Sequence, residues 1–253
     1  MRTTLLPLAA LALLAAPLSA KTQTPTADQI IAKYVQTVGG MPAIAAVKTL
    51  RRTGKFTGGG GFEAGVLQDN KRENKVREEF SIQGMTGITA YNGISGWKIE
   101  PWQGKKDAEA LGEEELRGIV EDADFDDPIV DYARKGNSVT FVGMEQVEGT
   151  DAFKLKVTLK SGDVRYYYMD TDYYVPIKIE MKRTIRGTLQ EFEISLGDYK
   201  SVAGWYLPHS METKLKGSSD SQKITFEKIE ANVPLDDRLF ERPAAGGTTG
   251  SAR

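Results

Sequence analysis

The residue types that most often carry catalysis are scarce in this sequence. It contains no cysteine and a single histidine, His209. Without cysteine there can be no disulfide, no thiolate metal site and no cysteine nucleophile. His209 lies between Pro208 and Ser210, and no G-x-S-x-G elbow accompanies it, which disfavours a Ser-His-Asp triad. The sequence therefore predicts no enzyme activity, no catalytic residue, no metal and no cofactor, although a hydrolase that relies on carboxylates alone stays open as an alternative.

Two further motifs resemble chemical sites but have simpler explanations. Acidic residues are concentrated between positions 113 and 127. They lack the spaced oxygen ligands and central glycine of a calcium loop, so a solvated helix face is favoured. The glycine run 58–61 is not followed by Lys-Ser or Lys-Thr, which favours a hairpin tip over a phosphate loop. The formal net charge of −2 provides no basic excess for binding nucleic acid.

The composition at the two ends of the sequence predicts segments that lie outside the folded part. An apolar run at 5–16 follows Arg2, and Leu18-Ser19-Ala20 is a small-residue cleavage site, as in a secretory signal peptide. The run is shorter than the ~20 residues of a membrane span. We therefore expect a signal peptide over 1–20, cleaved after Ala20, and export from the cytoplasm. The small, Gly-rich residues 244–253 predict a disordered tail.

Apolar periodicity predicts the elements of the folded part, which we expect to be a single domain over residues 21–243. Helical spacing after Thr26 predicts an N-terminal amphipathic helix that stops at Gly39-Gly40. Two blocks of period-two alternation, 48–102 and 138–229, predict antiparallel hairpins. Because about eleven strands are too many for a flat sheet, the sheet should curl around its apolar face. Helical spacing in 107–133 predicts one or two inserted helices that cover the opening, giving a mainly β, α+β fold.

Short motifs in the chain coincide with those of one known family. Gly65-Val66-Leu67 precedes Lys71-Arg72, as a strand followed by a Lys-Arg turn. A turn at Tyr91-Asn92-Gly93, a Trp strand at 97–101 and a closing segment at 234–243 follow in order. With the helical insert between two β blocks, these motifs resemble the LolA and LolB superfamily of periplasmic lipoprotein carriers, the outer membrane lipoprotein-sorting proteins. The resemblance covers nearly all of the chain after residue 20.

The resemblance implies a half-open barrel with an apolar cavity. Such a protein would act in the periplasm as a monomer that binds lipoprotein acyl chains or a related lipid. It would take them from an inner-membrane release complex and move them to an outer-membrane acceptor. A sensor or adaptor of the same shape, which binds a lipoprotein or a protein partner without delivering it, and a secreted hydrolase are the alternatives.

Alternate apolar positions of the predicted strands are the candidates for the cavity wall. Each methylene buried there would contribute ~0.8 kcal/mol. The alternative is that the same residues form a closed core, because sandwich cores alternate in the same way. The candidate lining residues are Val76, Phe80, Ile88, Trp97, Ile99, Phe153, Leu155, Val157, Tyr166, Tyr168, Ile177, Ile179, Phe192 and Ile194.

Arg72 is the candidate for control of the helical cover. In the resembling carriers an arginine at this position bonds backbone groups of the lid and helps set the balance between closed and open states. A guanidinium suits this role because it offers five donors in a fixed fork and keeps its charge. The resemblance predicts that Arg72→Leu changes ligand release and leaves thermal stability nearly unchanged. A solvated turn residue is the alternative.

Overall fold

The computed structural model describes residues 24–244. The predicted signal peptide at 1–20 and the predicted tail beyond residue 244 lie outside the described residues. Within 24–244, no helix has both the length and the apolar character that a membrane crossing requires.

The N-terminal helix forms where the sequence predicts it. Helix α1 spans Ala27–Thr37, and a capping box joins Thr26 and Gln29, each side chain bonding the other's backbone N–H. Gly39 follows with a φ of 116°, and a Cβ there would lie 2.0 Å from the carbonyl oxygen of Gly204. Glycine therefore allows the chain to turn tightly against the sheet and to begin helix α2, Gly40–Ala46.

Thirteen strands form one antiparallel sheet, two more than the sequence predicted. Consecutive strands are neighbours except β6 and β7, which form the two edges of the sheet, and β1 pairs with β13. The order is therefore β6-β5-β4-β3-β2-β1-β13-β12-β11-β10-β9-β8-β7. The bounds are β1 Thr49–Gly58, β2 Phe62–Lys71, β3 Lys75–Ile82, β4 Met85–Tyr91, β5 Gly96–Ile99, β6 Glu109–Ala110, β7 Ser138–Val147, β8 Thr150–Thr158, β9 Val164–Asp170, β10 Pro176–Ile185, β11 Thr188–Val202, β12 Trp205–Leu215 and β13 Ser221–Ala231.

A third helix shows how strongly the sheet curls. Helix α3, Glu113–Asp122, packs Ile119 against Val76 of β3 and pairs Glu121 with Arg165 of β9. In a flat sheet these strands, seven positions apart, would be separated by about 34 Å. A ten-residue helix is only about 15 Å long. The sheet must therefore bend until α3 spans its mouth, which confirms the predicted curved, unclosed sheet.

The sheet's concave face, called the inner face below, is partly filled by a closed core. Side chains of α1 and α2, such as Ile30 and Ile44, pack there against Leu50 and Leu155. The insert contributes Phe125, Ile129 and Val130 to the same core. Only 113–122 of the predicted insert at 107–133 is helical. Residues 109–110 form strand β6. The second half of the insert is irregular because Pro128 disfavours helical backbone at the residue before it, and Asp127 has a φ of 70°.

The opposite, outer face is covered at β3–β5 by residues from the C-terminal part of the described range. Residues 233–244, called the C-terminal segment, run across β3–β5. The indole Nε1 of Trp97 donates to the carbonyl oxygen of Phe240 at 2.8 Å, and Arg77 donates to that of Leu239 at 3.1 Å. Phe240 is fully buried, so this part of the sheet has a core on both faces.

Candidate functional site

Several residues predicted to line a cavity belong to the closed core instead. Phe153, Leu155, Val157 and Ile179 lie on the inner face, each at most 7% exposed, in the cluster formed with α1 and α2. Val76 is fully buried beneath α3. The helices and the irregular part of the insert occupy the space that a ligand would need. Their assignment to a cavity wall is therefore corrected to a core role.

Another group lies on the wrong face. Ile88, Trp97 and Ile99 point to the outer face, where the C-terminal segment lies over Trp97. Tyr166 and Tyr168 are also on the outer face, since they pair with Lys156 and Lys154 while Leu155 pairs with Tyr167. The ammonium groups of Lys154 and Lys178 lie 5.0 and 4.5 Å from the Tyr168 ring centre. These five residues do not line the inner face.

Three predicted lining residues, Phe80, Phe192 and Ile194, are half-buried on the inner face. The extra residue of a bulge in β10, Ile177, is half-buried and unpaired in the ladder. Phe80 lies in an aromatic group with Phe56, at 5.2 Å between ring centres. We call the uncovered part of the inner face the hollow; its half-buried apolar residues are Phe56, Val66, Phe80, Phe192, Met211 and Ile224, and Ile194 lies at its boundary with the closed core.

A cleft of about 910 Å³ opens beside α3. Its apolar wall includes Met181, Leu189 and Phe192, but charged side chains from α3 and from β10 dominate the lining. The cleft is therefore mainly polar, unlike the apolar cavity expected from the sequence. Its charged lining residues are Glu113, Glu114, Arg117, Glu121, Lys156, Asp163, Glu180, Lys182, Arg183, Glu191 and Lys216.

The two long edges of α3 are held by different forces. Leu116, Ile119 and Ala123 pack against Val76 and its neighbours on the β3–β5 side. On the β9–β11 side the contacts are ionic or polar. Glu121 accepts from Arg165 at 2.5 Å and from Arg183 at 3.2 Å, and Glu114 accepts from the backbone N–H groups of Arg186 and Gly187. Apolar packing and one ion pair, Glu115 with Lys98 of β5, therefore hold one edge, whereas only ionic and polar contacts hold the other.

Arg72 joins three parts of the structure. Its Nε donates to the carbonyl oxygen of Val47 at 2.8 Å, and Nη2 donates to that of Ile44 at 2.9 Å, both at the end of α2. The guanidinium pairs with Asp126 of the insert at 2.5 Å and lies 4.4 Å from the Phe125 ring centre. A cation is favourable at the carbonyl end of a helix. Arg72 is therefore a connector between α2 and the insert rather than a solvated turn residue.

A polar cluster that was not predicted from the sequence lies on the inner face. It consists of Arg52, Gln68, Asn70 and Glu78. Arg52 Nη1 donates to Gln68 Oε1 at 3.0 Å and to Asn70 Oδ1, and Gln68 Nε2 donates to Glu78 Oε1 at 2.8 Å. Burial, followed by the nearby charge of Asp122, raises the pKa of Glu78 to about 7. Burial also lowers the pKa of the Arg52 guanidinium to about 10.

The pKa of Glu78 predicts a pH-dependent stability. The folded carboxyl holds its proton up to about pH 7, whereas an unfolded one loses it near 4.5. Its favourable contribution is therefore complete below the unfolded pKa and is lost as the pH rises through 7. We expect Glu78→Gln to be more stable than the native chain at pH 8, by about 1–3 kcal/mol, and equal to it at pH 4.

Urea unfolding of both chains at pH 4, 6 and 8 measures this difference. Glu63→Gln is the control, because Glu63 is an exposed carboxylate on the neighbouring strand β2, and it should change stability at no pH. Parallel stability curves for Glu78→Gln and the native chain would contradict the prediction.

His209 and the acidic residues of 113–127, the candidates for chemistry in the sequence, make their contacts with other groups of the protein. His209 is buried, and its Nδ1 lies 3.0 Å from the carbonyl oxygen of Leu207. Acidic residues of 113–127 form ion pairs, for example Asp124 with Lys135 and Glu115 with Lys98. In the described range 24–244 no group of three or more histidine, aspartate or glutamate residues could hold a metal ion.

Comparison with known proteins connects this geometry to solved structures. A family model described as an uncharacterized protein matches residues 120–244. A comparison with curated proteins gives no match. The chain is similar to an outer membrane lipoprotein-sorting protein domain from Vibrio parahaemolyticus, with 13% identity, 83% of this chain and 94% of that one covered, and a TM-score of 0.57.

Two further structures are similar over most of their length. A DUF1329 family protein from Desulfovibrio piger has 13% identity, covers 86% of this chain and 98% of its own, and has a TM-score of 0.60. A LolA superfamily protein from Nitrosomonas europaea has 12% identity, the same two coverages and a TM-score of 0.56. The resemblance noted in the sequence is confirmed at the level of the fold. The chain has a LolA-like fold.

Proposed function

We propose that the chain is a periplasmic carrier that binds lipoprotein acyl chains or a related lipid and moves them towards the outer membrane. The observation that carries this proposal is the hollow, an uncovered apolar surface beside α3. The edge of α3 that faces β9–β11 is held by ionic and polar contacts. The likeness to a lipoprotein-sorting domain supports it. The adjoining cleft of about 910 Å³ is within the range of small-molecule sites, about 300–1,000 Å³.

The rest of the proposed cycle follows from this carrier role. The signal peptide at 1–20 would direct export, and the mature chain would act as a monomer without a cofactor. An inner-membrane release complex would supply the cargo, and an outer-membrane acceptor would remove it. Binding would gain ~0.8 kcal/mol for each methylene that enters the hollow, less the cost of ordering the chain.

Lipid analysis tests the carrier role directly. We expect mass spectrometry of protein purified from its native periplasm to find a bound acyl lipid. The delipidated protein should also take up a fluorescent acylated peptide and release it to acceptor membranes. A protein that is lipid-free and does not accept the acylated peptide would contradict the proposal.

The ionic edge of α3 predicts a change in release rate. Glu121→Gln removes the charge that pairs with Arg165 and Arg183. A loss of about 1.4 kcal/mol in the free energy that holds α3 closed corresponds to a tenfold change in the equilibrium between closed and open states. We therefore expect an acylated fluorescent peptide to dissociate about tenfold faster, and the α3 amides to exchange hydrogen faster, since the contacts on one edge are weakened.

A second glutamate on the same helix provides the control. The side chain of Glu113 is 92% exposed and lies 3.8 Å from Arg117, so Glu113→Gln should leave both rates near those of the native chain. Equal rates in Glu121→Gln and Glu113→Gln would mean that the ionic edge does not restrain the helix.

A further inference from the structure

The polar cluster lies at the boundary between the closed core and the hollow. Arg52, Gln68 and Glu78 form one row of paired residues across β1, β2 and β3. Arg52 pairs on its other side with Ile229, which packs against the closed core. The next row on the same face contains Gly54, Val66 and Phe80, and this row belongs to the hollow. An alkyl chain that lies in the hollow would therefore have one end at these polar groups.

Arg52 has unused hydrogen-bonding capacity there. Its Nη1 atom makes both of its hydrogen bonds, to the amide oxygens of Gln68 and Asn70. Over residues 24–244, neither its Nε nor its Nη2 has a partner, and no carboxylate forms an ion pair with it. A half-buried positive charge without a counter-ion is costly, and the cost is relieved by an anion that enters the site.

The opposite wall provides a second cation, Arg183. Arg183 of β10 lies in the cleft lining, and its Nη2 reaches Glu121 and Asp122 of α3. Its Nε is buried and, in the described part of the chain, has no hydrogen-bond partner. The positive charge of Arg183 lowers the pKa of Glu78, against the larger effect of burial. Arg52 and Arg183 thus each have an Nε donor without a hydrogen-bond partner among residues 24–244.

We propose that the polar cluster binds the head group of a long-chain carboxylate, whose alkyl chain lies in the hollow along Val66, Phe80 and Phe56. This inference rests on the proposed function, because it names the ligand end that the hollow must accommodate. The adjacent Nε and Nη2 donors of Arg52 match the two oxygens of one carboxylate. A phosphate dianion fits less well, because Glu121 and Asp122 lie beside Arg183 and would repel its second charge.

Glu78 determines how the site depends on pH. The groups that face it are Gln68 and Arg52 from the sheet, Asp122 from α3 and Arg183 from β10. With its pKa at about 7, its carboxyl is protonated below neutral pH and can donate to the ligand head group. Above pH 7 it is a second anion next to the bound carboxylate. Carboxylate binding should therefore weaken between pH 6 and pH 8.

Isothermal titration of the delipidated full chain with hexadecanoic acid and with hexadecan-1-ol tests the site. At pH 6 we expect the acid to bind about tenfold more tightly, as one charge-assisted hydrogen bond provides. Arg52→Met should bring the acid to within about twofold of the alcohol. Lys55→Met is the matched control: Lys55 is on the same strand but exposed, with its side chain paired to Glu227, and this variant should keep the tenfold preference.

Glu78→Gln provides a second test that does not depend on the folding of Arg52→Met. The native preference for the acid should fall at pH 8, whereas Glu78→Gln should keep it at both pH values. Equal binding of acid and alcohol by the native chain would overturn the inference and leave the carrier proposal standing. Binding of neither would overturn both. A tenfold preference that persists in folded Arg52→Met would assign the head group to another site.

Discussion

Phe240→Ala is expected to lower the free energy of unfolding by about 3–5 kcal/mol, the usual cost of truncating a buried phenylalanine. The ring is fully buried, and its own carbonyl oxygen accepts the only hydrogen bond of the Trp97 indole. A cavity at this position would loosen the C-terminal segment from β3–β5. Two buried groups, Trp97 Nε1 and the Arg77 guanidinium, would then lose their carbonyl partners.

Thermal and urea unfolding measure the effect. A decrease of about 10 °C or more in Tm is expected for a chain of this size, together with a red shift in the emission of Trp97 as water reaches it. Ile94→Ala is the control, since Ile94 is 87% exposed and its truncation should cost less than about 0.5 kcal/mol. A change in Phe240→Ala as small as in the control would mean that the C-terminal segment does not stabilise the sheet.

The features of the fold that could be predicted are those that depend on local pattern. Thr26 and the apolar spacing after it are sufficient for α1, and the strict alternation through Phe153 and Leu155 is sufficient for β8. The number of alternating segments required a curled sheet, and the structure has one. The irregular second half of the insert could have been expected from Pro128, because the residue before a proline avoids helical backbone.

The faces of the strands were harder to assign than the strands themselves. Tyr166 and Tyr168 are among the residues predicted to line the cavity. The turn between β8 and β9 pairs Val157 with Arg165, so the odd-numbered residues of both strands share one face and the two tyrosines share the other. A register shift of one residue reverses every side chain. Composition cannot show this, but a count of residues across the turn can.

The polar cluster had a signal in the sequence that was not used. Val76 and Phe80 were both assigned to the inner face, and Glu78 lies midway between them on the same strand. Strand geometry therefore places the Glu78 carboxyl on the inner face as well. The partner that makes it a cluster, Arg52, comes from a strand whose pairing depends on the whole sheet. Long-range pairing of this kind is not encoded in any local pattern.

Arg72→Leu is the second substitution with a large expected effect. The resemblance predicted almost no change in stability, but the observed contacts lead to a different expectation. Leucine would remove the side-chain donor of the Val47 carbonyl oxygen, leave that of Ile44 with only the backbone N–H of Val47, and leave Asp126 without its counter-ion. The side chains of Arg72 and Asp126 are 22% and 14% exposed, so water screens part of the loss. We expect a decrease of about 2–4 kcal/mol in the free energy of unfolding.

A double-mutant cycle separates the ion pair from the helix contacts. Asp126→Asn alone removes the charge partner, and the combination with Arg72→Leu shows how much of the loss the pair accounts for. Because the carbonyl contacts are independent of Asp126, Arg72→Leu should cost more than Asp126→Asn. If the two single variants and the double variant lose the same stability, the contacts with α2 contribute nothing.

Ligand release is the measurement that distinguishes a control residue from a purely structural one. Arg72 connects α2 to Asp126 of the insert, which follows the end of α3 by four residues. Loss of the Arg72 contacts should therefore favour the open state as well as the unfolded one. At a temperature where Arg72→Leu is still folded, we expect faster release of an acylated peptide than from Phe240→Ala, which is destabilised at least as much but on the outer face. Equal release rates in the two variants would assign Arg72 to the stability of the fold alone.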